Sequence, residues 1–139
     1  MESAVEGNTV MVKLDDGENL IESLKGAART RSVENGCVVF GIGQLRDFEL
    51  GYFDGSTYQR RTFNEAHELV ALHGTVTLNL DPPLHLHAAV SKDDFVLMGG
   101  HLFKATVATL GEICIQRFST IKMGRELDKR TGLKKLILH

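Results

Sequence analysis

Apolar and polar residues alternate along much of this chain, and the alternation predicts β-strands. Successive side chains of a strand point to opposite faces, so a strand with one buried face shows a period of two. Turn-forming residues such as Asp54-Gly55-Ser56 separate the alternating runs. About seven strands are predicted in this way, at residues 9–14, 37–40, 48–53, 57–63, 67–78, 84–90 and 105–115.

One segment has the periodicity of a helix. Residues 18–33 carry apolar side chains three and four positions apart, which places them on one helix face. Asp16 is the predicted N-cap, and Asn35-Gly36 is a stop signal. One helix among strands joined by short turns predicts a single compact α+β domain with a mostly antiparallel β-sheet core.

Three histidines form the clearest chemical pattern. His85 and His87 are two residues apart in a predicted strand, so their side chains share a face. His101 follows two glycines, and a strand, a turn and a return strand would bring it opposite the pair. Three imidazoles with a vacant fourth position are the ligand set of an open zinc site, and they also suit Ni²⁺, Co²⁺ or Fe²⁺. A polar sheet face with a glycine turn is the alternative interpretation.

Composition and charge narrow the function classes. The 139 residues are 42% hydrophobic and 24% charged, which is ordinary for one globular domain. The net charge of −2 provides no general attraction to nucleic acid or anionic membranes. Because the N-terminus is acidic and no apolar run has the length of a signal peptide core or a membrane span, we expect a cytoplasmic protein.

Two further motifs argue against particular chemistries. Gly41-Ile42-Gly43 lacks the third glycine of a dinucleotide-binding fingerprint and follows the predicted helix instead of preceding one. Cys37 and Cys114 lack the C-x-x-C spacing of a zinc or redox site. We expect these cysteines to be buried free thiols, with a disulfide as the alternative.

Several short motifs follow one another in a distinctive order. They are Gly41-Ile42-Gly43, Leu50-Gly51-Tyr52-Phe53, residues 68–74, His85-Leu86-His87-Ala88, Gly99-Gly100-His101-Leu102 and Thr131-Gly132-Leu133. In this order they resemble the plant and prokaryote conserved domain (PPC or PCC, also DUF296), and the chain looks like a stand-alone prokaryotic member. The resemblance runs from about residue 10 to about residue 136, and its most specific part is the His-Leu-His motif followed by Gly-Gly-His-Leu.

The resemblance carries expectations about fold and function. It implies an α+β domain over residues 8–138, after a short N-terminal tail at residues 1–7, that assembles as a homotrimer. It implies a DNA-associated or regulatory role, since the plant members carry the domain after an AT-hook. Prokaryotic members keep histidines that look like zinc sites, which here are His85, His87 and His101.

The chain departs from the plant pattern because it has no Arg-Gly-Arg-Pro core of an AT-hook. The weak candidates for DNA contacts are Lys129, Arg130, Lys134 and Lys135, for which a solvated surface is the alternative. Two alternatives to a DNA-associated role are considered. The protein is a metal-dependent enzyme or small-molecule sensor, or its metal only stabilises the fold. No nucleophile or general-base motif assigns a reaction, so a binding role is favoured. Our guess for a fourth ligand, or for a partner of one of the ligands, is Glu68 or Glu112, with a surface role as the alternative.

Overall fold

The chain folds into nine β-strands and one α-helix, and the computed structural model describes all of its residues, Met1 to His139. In chain order the elements are β1 (Glu2–Glu6), β2 (Thr9–Asp15), α1 (Leu20–Thr30), β3 (Asn35–Phe53), β4 (Tyr58–Phe63), β5 (His67–Thr77), β6 (Leu84–Ser91), β7 (Leu97–Arg117), β8 (Met123–Leu127) and β9 (Lys134–Leu138). Seven strands form one antiparallel sheet in the order β1-β2-β7-β6-β5-β3-β4, and β8 pairs with β9. This confirms the predicted α+β class.

Two long strands close part of the sheet on itself. β3 has 19 residues and β7 has 21, and each pairs with three other strands. Since β3 also pairs with β7, the strands β3, β5, β6 and β7 form a closed circuit. The strands predicted separately at 37–40 and 48–53 are one bent strand, because the pairing continues between them through bulges and register shifts. Asp47, with a φ of 47°, lies at one of these irregularities.

The hydrophobic core lies inside this circuit and beneath α1. Alternate residues of β6, Leu84, Leu86, Ala88 and Val90, are buried, as the sequence pattern predicts. The apolar face of α1 packs against β2 and β7. Because one face of β6 fills the core, its other face is available for a site. α1 is neither long nor apolar enough to cross a membrane.

The helix begins later than predicted. Asn19 is the N-cap, and its side chain accepts a hydrogen bond of 3.0 Å from the Glu22 backbone N–H. Asp16, the predicted N-cap, instead forms an ion pair with Arg46 and accepts a hydrogen bond from the Thr109 N–H. The prediction of Asp16 was wrong because these tertiary partners engage its carboxylate, and Asn19 lies next to the first helical residue.

Both ends of the chain form strands. Residues 2–6, within the expected N-terminal tail, form β1 and pair with β2. The charged C-terminal segment forms the β8–β9 hairpin. Two hydrogen bonds fasten β8 to the rest of the fold, one from the Met123 N–H to the Asn35 side chain and one from the Arg125 guanidinium to the Thr75 hydroxyl. The domain boundaries at 8 and 138 remain a prediction.

Candidate metal centre

Three histidines meet on the outer face of the closed part of the sheet. His85 and His87 project from β6 on the face opposite its buried leucines. His101, in β7, is the direct register partner of His87. The strand, turn and return strand expected from the sequence therefore bring the third histidine next to the pair. The two glycines before His101 lie within β7 and not in a turn.

The three imidazoles form a compact cluster. Their candidate ligand nitrogens all lie within 4.8 Å of one another. The ring centre of His85 is 5.2 Å from that of His87 and 5.1 Å from that of His101. The ring centres of His87 and His101 are 5.5 Å apart. His85 and His101 are partly buried, and His87 is exposed, so the cluster is open to solvent on one side.

Glycines let the neighbouring backbone approach the cluster closely. On its other side His101 pairs with Gly51 of β3. A Cβ at Gly100 would overlap the Gly51 carbonyl, and a Cβ at Gly51 would overlap the Phe103 ring. Gly100 therefore lets β3 approach β7 closely, and Gly51 lets Phe103 lie beside His101, with the ring centres 4.4 Å apart. Tyr58 contacts the same imidazole, at 5.1 Å between ring centres.

Burial and nearby positive groups lower the pKa values of two of the three imidazoles, His85 and His101. Burial lowers the pKa of His101 to about 4, helped by His85, His87 and Arg60. Burial also lowers the pKa of His85, with smaller effects from His87 and Arg125. The Nδ1 atom of His101 is buried and has no hydrogen-bond partner. A neutral imidazole with a free ring nitrogen is the form that binds metals.

The two carboxylates considered as a fourth ligand lie elsewhere. Glu68 and Glu112 line a separate surface depression beside Gly43. Glu68 accepts a hydrogen bond of 3.1 Å from the Gln44 side chain. It pairs with Ser91, at the opposite end of β6 from His85. The guess was wrong because strand register places these side chains away from the histidines, and the cluster contains no carboxylate.

A cavity of about 660 Å³ lies beside the cluster. His85 and His101 line it, together with Arg125 from β8. Its apolar wall is formed by α1, by the proline segment that precedes β6, by β6 and β7 themselves, and by the C-terminal hairpin. The apolar lining residues are Ile21, Pro82, Pro83, Leu84, Leu86, Leu102, Phe103, Leu133 and Leu136. Sequence reasoning missed Arg125, since only the folding of the hairpin over the sheet brings it here. Spaced leucines in the charged tail were the available signal.

The basic residues singled out in the sequence fall into two pairs. Lys129 and Arg130 lie in the turn between β8 and β9 and form no ion pair. Lys134 pairs with Asp81, and Lys135 pairs with Asp128. The two cysteines are free thiols, as expected, but only Cys114 is buried and Cys37 is partly exposed.

Comparisons with known proteins identify a matching family profile and matching folds. The profile of the Plants and Prokaryotes Conserved (PCC) domain matches residues 1–119. A metal-containing protein from Archaeoglobus fulgidus is 27% identical, with 98% of this chain and 96% of that one aligned and a TM-score of 0.83. A plant- and prokaryote-conserved (PPC) protein from Pyrococcus horikoshii is 26% identical, with 96% and 94% aligned and a TM-score of 0.82.

A third solved structure shares the fold at lower sequence identity. It is a protein of Bacteroides thetaiotaomicron described as a candidate DNA-binding protein, 24% identical, with 98% of this chain and 96% of that one aligned and a TM-score of 0.88. A comparison with curated proteins gives no match.

Proposed function

This chain belongs to the Plants and Prokaryotes Conserved (PCC) domain family, and we propose that it is a zinc-binding member that acts as a homotrimeric binding protein. The convergence of His85, His87 and His101 carries the proposal. The protein from Archaeoglobus fulgidus supports it, because that protein is described as metal-containing and shares the fold along nearly the whole chain.

The spacing of the rings supports tetrahedral zinc. A zinc–nitrogen bond of about 2.0–2.1 Å places each imidazole centre about 3.2 Å from the ion, so tetrahedral directions separate the ring centres by about 5.2 Å. The three separations here are 5.1, 5.2 and 5.5 Å. The ring centres therefore already have the spacing that a shared tetrahedral ion requires.

The polar groups of the cluster also fit a cation. A buried nitrogen without a partner, such as His101 Nδ1, is unfavourable, and a bond to a metal would satisfy it. Three protein ligands leave a further position open to water or another ligand, and zinc lowers the pKa of a bound water to about 7. His85, His87 and His101 would hold the ion, and the cavity beside them gives access to it.

Metal content tests this proposal. We expect about one zinc per chain, by elemental analysis, in protein purified without an affinity tag. The variant His85→Ala/His87→Ala/His101→Ala should contain none. His73→Ala is the matched control, because His73 is the register partner of His87 on β5 but lies outside the cluster. Metal-free wild-type protein after reconstitution, or equal zinc in the triple variant, would refute the site.

The homotrimer implied by the resemblance is supported by an apolar outer face. Register places Met11, Cys114 and Phe40 in one row across β2, β7 and β3. Met11 and Phe40 remain 40% and 39% exposed, and Ile42 on β3 remains 45% exposed. Large apolar side chains exposed on neighbouring strands are typical of protein–protein interfaces.

A DNA-associated role is the second candidate function. Lys129 and Arg130, without carboxylate partners at the tip of the β8–β9 hairpin, favour it, and a trimer would present them three times. We expect retardation of duplex DNA at about 50 mM salt that weakens steeply toward about 200 mM, and loss of retardation in Lys129→Ala/Arg130→Ala. Arg29→Ala, which removes a helix cation, is the control. Absence of any shift at low salt would exclude this role.

A further inference from the structure

Four cationic side chains line the cavity beside the histidine cluster, and one of them differs from the rest. Arg125 is the cation without a carboxylate partner. The other three form ion pairs, which are Lys25–Glu22, Lys134–Asp81 and Lys135–Asp128. One positive charge in the wall of the cavity is therefore left uncompensated.

Arg125 is held close to the histidines. Its Nη2 donates a hydrogen bond of 2.9 Å to the Thr75 hydroxyl, and Thr75 is the register partner of His85. The Nε–H group is buried and has no acceptor. A guanidinium carries five N–H donors and stays protonated, so most of its binding capacity is unused here. Burying an unpaired charge is unfavourable, and an anion in the cavity would relieve that cost.

The proposed metal would increase the demand for an anion. Three neutral imidazoles do not offset the charge of a divalent ion, and no carboxylate belongs to the cluster. The positive charges of the ion and of Arg125 would therefore reinforce each other beside a partly dehydrated space. An arginine is also the side chain best shaped for a carboxylate, which it can bind through two parallel hydrogen bonds.

The rest of the wall indicates the body of the ligand. Apolar side chains surround the cavity beyond the charged end, including Ile21, Pro83, Leu133 and Leu136. Its volume of about 660 Å³ lies within the range of sites for small organic molecules, about 300–1,000 Å³. An inorganic anion would leave this apolar surface uncovered.

We propose that the cavity binds an organic carboxylic acid, with the carboxylate on Arg125 beside the three histidines and an apolar chain along Ile21, Leu133 and Leu136. This inference rests on the proposed zinc site, because the ion supplies the second positive charge. It goes beyond family membership, since Arg125 follows the last residue that the family profile matches, residue 119.

Calorimetric titration of the zinc-loaded protein tests the proposal. Hexanoate should bind at least about tenfold more tightly than acetate, because each buried CH₂ contributes up to about fourfold. Hexanoate should also bind more tightly than inorganic phosphate, which matches the charge but not the apolar wall. Arg125→Met should weaken hexanoate binding at least about tenfold, and Arg125→Lys should restore part of it.

The controls separate this proposal from the zinc site. Arg130→Met removes a cation from the same hairpin outside the cavity and should leave hexanoate affinity unchanged. Arg125→Met should keep one zinc per chain, which shows that the cluster is intact. Equal hexanoate affinity in Arg125→Met and wild type, or binding of phosphate but not hexanoate, overturns the proposal while zinc binding stands. If the protein binds no zinc, the proposed zinc site is contradicted, and so is the carboxylate site that depends on it.

Discussion

At the scale of single residues, the protonation of His101 decides what the cluster can bind. Its imidazole packs against Tyr58 and Phe103 and lies close to two other histidines, so a proton on it is both poorly solvated and repelled. Metal binding needs the same unprotonated nitrogen. The surroundings that lower the pKa of His101 therefore also prepare it as a ligand near neutral pH.

This pKa has a consequence for the stability of the metal-free protein. The pKa of His101 is about 4 in the folded chain against an ordinary value of 6.5. As pH falls through this range, the unfolded chain takes up a proton that the folded chain does not, so the free energy of unfolding decreases. Thermal unfolding of the metal-free protein at pH 7 and pH 5 should show this decrease, and His101→Phe should reduce it.

His73→Phe is the control for that measurement, because His73 is exposed and lies outside the cluster. The same loss of stability between pH 7 and pH 5 in His101→Phe and wild type would show that His101 is not responsible.

Gly51 is a second residue whose small size supports the site. A methyl group there would overlap Phe103, which packs on His101. We expect Gly51→Ala to destabilise the fold by about 1–3 kcal/mol through overpacking and to weaken zinc binding. Gly26→Ala, in α1 where a Cβ meets only the end of Met1, should leave zinc affinity unchanged and is the control. Denaturant unfolding and zinc titration measure both effects, and unchanged zinc affinity in Gly51→Ala would contradict this account.

At the scale of elements, the β8–β9 hairpin completes the wall of the cavity. Its turn is organised by Asp128, whose side chain accepts a hydrogen bond of 2.9 Å from the Arg130 N–H. The ion pair with Lys135, and then this hydrogen bond, lower the pKa of Asp128 to about 2. The carboxylate therefore stabilises the hairpin above about pH 4, and the contribution is lost as pH falls toward 2.

Asp128→Asn tests this role of the turn. The substitution leaves Lys135 unpaired, so we expect faster amide hydrogen exchange in residues 123–138 at pH 7 and little change in α1. Asp54→Asn, at the β3–β4 turn, is a matched control that should affect only its own hairpin. Equal amide exchange rates in residues 123–138 of wild type and Asp128→Asn would show that other contacts hold the hairpin.

Strand β6 and the β8–β9 hairpin differ in how far the sequence predicts them. The alternation that defines β6 is local, so His85 and His87 could be assigned to one exposed face without a structure. The hairpin is held by contacts distant in sequence, from Met123 to Asn35 and from Arg125 to Thr75, and its own residues alternate poorly. Local patterns therefore predicted the histidine strand, whereas Arg125 beside it required the fold.

At the scale of the whole molecule, the closure of the sheet and the proposed assembly of chains depend on strand pairings and surfaces that no single segment defines. The joined strands β3 and β7 were predicted as shorter pieces, because a local pattern does not show whether a strand bends or ends when its pairing partner is unknown. The outer apolar face was likewise not predicted as a surface. It arises when register aligns side chains of β2, β3 and β7.

The proposed trimer makes a prediction about that face. Phe40→Asp/Ile42→Asp places two charges on exposed positions of β3, so folding should survive while association is lost. Light scattering should give three times the 15.3 kDa chain mass for wild type and one chain mass for the variant. Leu138→Asp, at an exposed position near the C-terminus, should remain trimeric. A monomeric wild type would contradict the trimer.

The central claim is that His85, His87 and His101 together hold one zinc ion. Anomalous diffraction above and below the zinc absorption edge, from crystals of untagged protein, tests it most directly. We predict one anomalous peak per chain, about 2.0–2.1 Å from one ring nitrogen of each of the three histidines. A zinc-supplemented crystal with no such peak, or with its peak at other side chains, would contradict the account.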